Sequence, residues 1–109
     1  FPYPGGGTTC DALYMGVPVV SLRGETHHAS RLGAAMLTAA GKSAWIAEDA
    51  RAYENLAVRM AEDIAAVRAS RTALRAEVEK SALMDGASYL SAVMDAIERI
   101  WAERGDFAR

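Results

Sequence analysis

A glycine run that ends in two hydroxyl residues is the part of this sequence best suited to chemistry. Gly5–Gly7 lead directly into Thr8 and Thr9, and Asp11 follows two residues later. Glycines let backbone N–H groups approach an anion closely, and the start of a helix adds a favourable dipole. Threonine hydroxyls can donate to phosphate oxygens, and a carboxylate one turn further can accept from ribose hydroxyls. The pattern predicts a nucleotide site whose binding residues are Gly6, Gly7, Thr8, Thr9 and Asp11.

The same residues also fit a purely structural interpretation. Thr8 or Thr9 can cap a short helix over Cys10–Met15, because a hydroxyl accepts a hydrogen bond from the first free N–H groups. Asp11 would then only favour the helix dipole. The residue pattern leaves both interpretations open, since short glycine motifs also occur by chance.

Weaker candidates follow the first apolar run. Val17–Leu22 predicts a strand buried on both faces, as in a parallel sheet, and such sheets bind ligands beyond the carboxyl ends of their strands. There Glu25 can contact a sugar hydroxyl or a neighbouring domain. One histidine of the His27–His28 pair can line the cleft or cap the next helix, and His28 is the candidate site residue. Arg31 can approach phosphate, although a structural pairing with Glu25 is the favoured interpretation. Adjacent histidine side chains diverge and no cluster of cysteines or acids accompanies them, so we expect no metal.

The elements that must position these residues are mostly helices. Apolar residues at three- and four-residue steps predict an α/β, helix-rich fold, with a minimal strand at Trp45–Ala47. One good strand cannot make a sheet, so the missing strands must come from upstream sequence or another copy. We expect Gly16 and Gly41 to end helices and Asp85 to cap one. The helices are expected over Cys10–Met15, Ala29–Ala40 (apolar stripe Leu32, Ala35, Met36, Ala39), Ala50–Ser70 with a continuation through Leu74 and Val78 after a bend, and Ala87–Arg104.

Composition narrows the class of protein. The chain has 109 residues and a net charge of −2 with acids and bases interspersed, so we expect no nucleic-acid partner. No apolar run approaches the ~20 residues of a membrane span, so we expect no membrane partner. Cys10 is the only cysteine, which excludes an internal disulfide and fits a cytoplasmic location. No strand precedes the glycine run after Phe1, so we interpret the chain as the C-terminal piece of a longer protein.

Several segments together resemble one enzyme family. Gly5–Val20 resembles the nucleotide-binding segment of the O-GlcNAc transferase family, which includes the plant SPINDLY proteins and bacterial tetratricopeptide-repeat relatives. Gly24–Ala34 is similar to the family's Gly-Glu-Thr…Ala-Ser-Arg stretch. Trp45–Ala47 and Tyr53–Ala57 are similar to its helical tail. The resemblance spans nearly the whole chain.

The resemblance implies a fold and a role for each part of the chain. The family has two facing Rossmann-like domains, the GT-B arrangement, and this chain would be the C-terminal half of the domain that binds the nucleotide sugar. Residues 1–47 would hold the nucleotide, and residues 48–109 would form a helical tail that packs back across the fold. The resemblance places Thr8 at the phosphate-contacting threonine and Asp11 at the acidic position that holds the ribose.

The resemblance also implies a reaction. The expected donor is a UDP-sugar carrying GlcNAc, the expected acceptor is a Ser or Thr hydroxyl of a protein, and no cofactor is needed. The family's catalytic groups lie upstream, so we expect the isolated chain to be inactive without the remainder of its parent protein.

One departure bears on the site. Where animal members carry His-Thr-Thr, this chain has Gly6, Gly7 and Thr8, so backbone N–H groups would replace side-chain contacts to the diphosphate. The His27–His28 pair also makes its loop one residue longer. Two alternatives stay open: a non-enzymatic helical interaction module that self-associates through exposed sheet edges and apolar stripes, and a generic phosphate-binding α/β domain.

Overall fold

Helices dominate the computed structural model, which describes residues 3–25 and 27–105. A single 3-10 turn and two short strands accompany them. In chain order the elements are α1 Gly7–Tyr14, β1 Ser21–Leu22, α2 His28–Ala39, the 3-10 turn Ser43–Trp45, β2 Ile46–Ala47, α3 Ala50–Glu62, α4 Ile64–Ala69, α5 Arg71–Glu79 and α6 Gly86–Gly105.

The sheet is a minimal parallel pair. Ser21 of β1 pairs with Ile46 of β2, and Leu22 pairs with Ala47. The minimal strand expected at Trp45–Ala47 is therefore confirmed over its last two residues. The longer strand expected over Val17–Leu22 is wrong, because backbone becomes a strand only where a neighbour supplies hydrogen bonds, and β2 reaches only its last two residues.

Glycines flank both ends of the first helix. Gly6 lies at the N-cap without any side-chain capping bond, and its carbonyl accepts from the N–H of Thr9 at 3.0 Å. The expected threonine cap is wrong, because Thr8 and Thr9 already lie inside α1. Gly16 ends the helix as expected: its φ is +70°, and its N–H donates to Leu13 O at 2.9 Å.

The buried face of α2 differs from the expected stripe. Gly33, Ala34 and Leu37 are buried, whereas Ala35 is exposed. A Cβ added at Gly33 would lie 2.3 Å from the Ser21 hydroxyl oxygen, so α2 approaches β1 through its smallest residue. Apolar residues occur all around α2, so the sequence pattern alone does not select which face is buried, and the buried positions 33, 34 and 37 are displaced by one or two residues from the expected stripe.

The long helix expected over Ala50–Ser70 is divided in two. Asp63 leaves helical geometry, and its carboxylate accepts from the N–H of Ala66 at 2.8 Å, which starts a new helix. A short acidic side chain competes with the helix for backbone N–H groups. The bend near Ser70 is confirmed, and Asp85 caps α6 as expected by accepting from the N–H of Ser88 at 3.0 Å.

The core joins α1, α2 and α5. The side chains of Leu13, Leu37 and Val78 are fully buried. α6 by contrast keeps a row of large apolar side chains exposed, up to 80% for Trp101. The remaining members of the core cluster are Ala40 and Leu74, with Val19, Trp45, Ile46 and Leu83 packed against it.

Among the described residues, no helix is long and apolar enough to cross a membrane.

Candidate functional site

A cleft of about 640 Å³ runs along β1 and past its carboxyl end. The glycine run closes one part of it, and the loop that follows β1 closes another. The first turn of α3 contributes a tyrosine. The polar and aromatic residues that line it are Tyr3, Thr9, Ser21, Arg23, Glu25, His27, Ser30 and Tyr53, and Gly5 is among the others.

The glycine run is folded tightly over the two threonine hydroxyls. A Cβ at Gly5 would lie 2.8 Å from the hydroxyl oxygens of both Thr8 and Thr9, so this position has no room for a side chain. Nothing lies within 4 Å of a Cβ at Gly7. The first N–H groups of a helix have no partner within it, so the open side of Gly7 at the start of α1 can receive an anion.

The two threonines have different surroundings. Thr9 is 6% exposed, and its hydroxyl donates to the carbonyl of Gly5 at 3.0 Å. Thr8 is exposed on the first turn of α1. Thr8 is therefore the hydroxyl that a ligand reaches directly, while Thr9 also fixes the shape of the loop.

The structure places the predicted site residues on two adjacent surfaces rather than in one cavity. Thr9 lines the cleft, whereas Gly7, Thr8 and Asp11 lie on the exposed side of α1 and Gly6 is half-buried. Gly5 lies between these two surfaces and lines the cleft.

The loop after β1 is anchored to α2. The Arg31 guanidinium donates to the carbonyl of Gly24 at 3.2 Å and also to the carbonyl of Glu25. Ser30 donates to the carbonyl of His27 through its N–H at 3.0 Å and its hydroxyl at 2.7 Å. The favoured pairing of Arg31 with Glu25 is thus present, but it uses the main chain of Glu25 and leaves the carboxylate free of this contact.

The weaker candidates separate within this loop. Glu25 and His27 line the cleft. His28 is the first residue of α2, is exposed, and does not belong to the cleft lining, while the guanidinium of Arg31 serves the loop carbonyls. Of the two neighbouring histidines, the structure brings His27 to the cleft.

Sequence reasoning missed two cleft residues. Tyr53 recurs with Ala57 and Met60 on one helical face, which predicts a core residue, yet its side chain is 41% exposed and lines the cleft. Ser21 looks like an ordinary strand residue, yet its buried hydroxyl has no hydrogen-bond partner in the described structure. Only the position of β1 relative to α2 and α3 reveals either role, so no local sequence signal was available.

Charge at the cleft is balanced rather than concentrated. Arg23 at its rim pairs with Glu48 at 3.1 Å. The side chain of Arg23 is 50% exposed and that of Glu48 is 68% exposed. Within residues 3–25 and 27–105, no three His, Cys, Asp or Glu side chains gather where they would hold a metal ion. At the start of α1, the N–H groups of Gly7 and Thr8 and the exposed Thr8 hydroxyl are available to an anion, because the N–H and hydroxyl of Thr9 already donate to the carbonyls of Gly6 and Gly5.

Comparison with known proteins adds a family and several relatives. Residues 2–93 match the family described as Glycosyl transferase family 41. Over 101 residues, 93% of the chain is similar to proteins named probable UDP-N-acetylglucosamine–peptide N-acetylglucosaminyltransferase SPINDLY. The identity is 37% for the protein of Oryza sativa subsp. japonica, 38% for that of Hordeum vulgare and 36% for that of Arabidopsis thaliana. The chain spans 11% of the length of each of these relatives.

Proposed function

The chain belongs to glycosyl transferase family 41, and from that premise we propose that it forms the nucleotide-sugar-binding part of a protein O-glycosyltransferase. The membership confirms the family resemblance found in the sequence. The observed helix-rich α/β fold with a parallel strand pair is compatible with the C-terminal half of a Rossmann-like domain in a GT-B enzyme, which we propose as the setting of this chain. In that arrangement residues 1–47 carry the nucleotide-binding loop and residues 48–109 form the helical tail.

One observation carries the proposal: a glycine run enters α1 directly beside a cleft at the carboxyl end of β1. Helix starts favour anions, and the carboxyl edge of a parallel sheet is where α/β proteins bind nucleotides. Gly6, Gly7 and Thr8 would hold the diphosphate through backbone N–H groups and one hydroxyl. Asp11, exposed on the next turn, would accept from the ribose hydroxyls.

The proposed donor is UDP-GlcNAc and the proposed acceptor is a protein Ser or Thr hydroxyl, following the names of the relatives. The acceptor oxygen forms a bond to the anomeric carbon as the bond from that carbon to the diphosphate oxygen breaks. The leaving diphosphate keeps the electron pair, and the acceptor proton passes to a base outside this chain. The start of α1 stabilises the charge that develops on the diphosphate, without a bound cofactor.

Calorimetry of UDP binding to the full-length protein tests the proposal, with and without Asp11→Ala. A carboxylate that accepts from ribose hydroxyls contributes about 1.5–3 kcal/mol, so we expect binding to weaken by about tenfold or more. Asp95→Ala, which removes an exposed carboxylate of α6, is the matched control and should leave binding unchanged. Binding untouched by Asp11→Ala would reduce Asp11 to a helix-start acid, and a folded protein without UDP binding would refute the proposed function.

A second candidate rests on α6. Leu90, Ile97 and Trp101 are 61%, 53% and 80% exposed. An exposed apolar face of this kind is typical of a surface that binds another protein. A folded full-length protein that binds a partner through this face but no nucleotide would favour the module. A third candidate is a generic phosphate-binding α/β domain. A screen of nucleotides distinguishes it from a glycosyltransferase, since a generic phosphate site would show no preference for uridine diphosphates.

A further inference from the structure

Tyr53 occupies a fixed position at the edge of the cleft. It lies on the first turn of α3, where its N–H donates to the carbonyl of Asp49 at 2.9 Å. The Asp49 carboxylate accepts from the N–H of Ala52 at 2.7 Å, so the turn that carries the tyrosine is held by a capped helix start. α3 packs on both β1 and β2, which fixes this turn beside the carboxyl end of the sheet.

The ring of Tyr53 faces the cleft rather than the core. Ala57 and Met60, its neighbours along the same helical face, are half-buried, while Tyr53 is 41% exposed and lines the cleft. Glu25 and His27 line the same cleft. A cleft lined by an aromatic ring, a carboxylate and an imidazole offers both apolar contact and hydrogen-bonding groups, as small-molecule sites do.

The direction of the donor decides which part of it meets Tyr53. With the diphosphate at the start of α1, Asp11 marks the nucleoside end, and Asp11 lies outside the cleft lining. Gly5 and Thr9 connect the start of α1 to the cleft, so with the nucleoside at Asp11 the group on the other side of the diphosphate would enter the cleft. Its volume of about 640 Å³ is ample for one sugar ring.

We propose that Tyr53 forms one wall of a sugar subsite, with its ring against the apolar face of the donor sugar and the Glu25 carboxylate accepting from sugar hydroxyls. This inference rests on the proposed function, because the diphosphate and ribose positions set the direction of the donor. Tyr53 is a substrate-contacting residue in this assignment and takes no proton.

The test compares two probes, UDP and UDP-GlcNAc, by calorimetry on the full-length protein. Tyr53→Ala should weaken UDP-GlcNAc binding by about tenfold, because the apolar contact between the ring and the sugar is lost, and leave UDP binding within about twofold. Tyr53→Phe keeps the ring and should bind both probes as the parent protein does. Tyr89→Ala removes an exposed tyrosine of α6, 73% exposed, and should change neither affinity.

Tyr53→Leu controls for a loss of folding in Tyr53→Ala, since leucine keeps the apolar bulk of the side chain but has no aromatic face. It should weaken UDP-GlcNAc selectively, as Tyr53→Ala does, with an unchanged melting temperature. Equal weakening of both probes, no weakening, or equal loss in Tyr53→Phe would overturn the subsite. A parent protein that binds neither probe would refute the proposed function itself, and the subsite would fall with it.

Discussion

Two glycines share a backbone conformation but not an environment. Gly16 and Gly41 both have φ of +70°, a region that favours glycine. A Cβ at Gly16 would lie 2.1 Å from the carbonyl oxygen of Arg71, whereas nothing lies within 4 Å of one at Gly41. The Arg71 side chain also donates to the carbonyl of Met15 at 2.8 Å, so this glycine permits the joint between α1 and α5.

Replacing Gly16 or Gly41 by alanine should lower the free energy of unfolding by different amounts. Gly41→Ala should cost about 1–2 kcal/mol of unfolding free energy, the strain of a left-handed alanine. Gly16→Ala should cost about 2–5 kcal/mol, because overpacking against α5 adds to the same strain. Urea denaturation of both variants in one background measures the difference. Equal losses would show that α1 and α5 separate readily and that the close approach does not matter for stability.

Residue types at the site were easier to predict than their burial. The glycine run, Thr8 and Asp11 were identified from local spacing alone. The buried state of Thr9 and the exposure of Tyr53 depend on how α1 and α3 lie against β1, which local spacing does not encode. The predicted binding roles of Gly6, Gly7, Thr8, Thr9 and Asp11 stay predictions until the UDP measurement is made.

Carboxylates start three of the helices. Asp49, Asp63 and Asp85 accept from backbone N–H groups at the starts of α3, α4 and α6 at 2.7, 2.8 and 3.0 Å. The hydrogen bonds of Asp85, above all those to Ser88, hold the pKa of its carboxyl below its ordinary value. A lowered pKa in the folded state means that the charged carboxylate stabilises α6.

The pH dependence of α6 follows from that shift. The stabilisation by Asp85 is complete above the unfolded-state pKa, about 3.9, and is lost as the pH falls through the lower folded-state pKa. Parent and Asp85→Ala proteins should therefore differ in helix content at neutral pH and converge in acid. Circular dichroism from pH 7 to pH 2 measures this, and Asp95→Ala controls for loss of a carboxylate without a cap. A difference that persists unchanged at low pH would contradict the capping role.

Helices were predicted better than strands, for a physical reason. Helix hydrogen bonds are local, so the pattern of apolar residues and caps located α2 and α6 to within a residue or two. A strand needs a partner from elsewhere in the chain, and β1 is reduced to Ser21–Leu22 because β2 is its only neighbour among the described residues. The division at Asp63 was missed because a capping carboxylate also looks like an exposed helical residue.

The described part of the chain is elongated, with extents of 65 × 31 × 18 Å, and α6 has a long apolar face. Leu90, Met94, Ile97 and Trp101 recur at steps of four, three and four residues and are 47–80% exposed. This spacing is that of a helix seam that packs against another helix. In the GT-B arrangement proposed here, the remainder of the parent protein would cover this face.

Without that cover, the 109-residue chain should self-associate. We expect its sedimentation coefficient to rise with concentration, and Leu90→Glu with Ile97→Glu to abolish the rise by placing charges in the seam. The matched control is Val58→Glu with Ile64→Glu, which alters side chains that are 51% and 49% exposed on α3 and α4. An unsubstituted 109-residue chain that stays monomeric at all concentrations would contradict the role of α6. The role would also be contradicted if the control pair of substitutions abolished self-association equally.

The anchoring of the β1–α2 loop has a thermodynamic consequence for ligand capture. Arg31 and Ser30 tie the carbonyls of Gly24, Glu25 and His27 to the start of α2. Carbonyls that hydrogen bonds already hold lose less conformational freedom when a ligand arrives. Binding should therefore require little rearrangement of these three carbonyls, and its association rate should be set by diffusion and orientation.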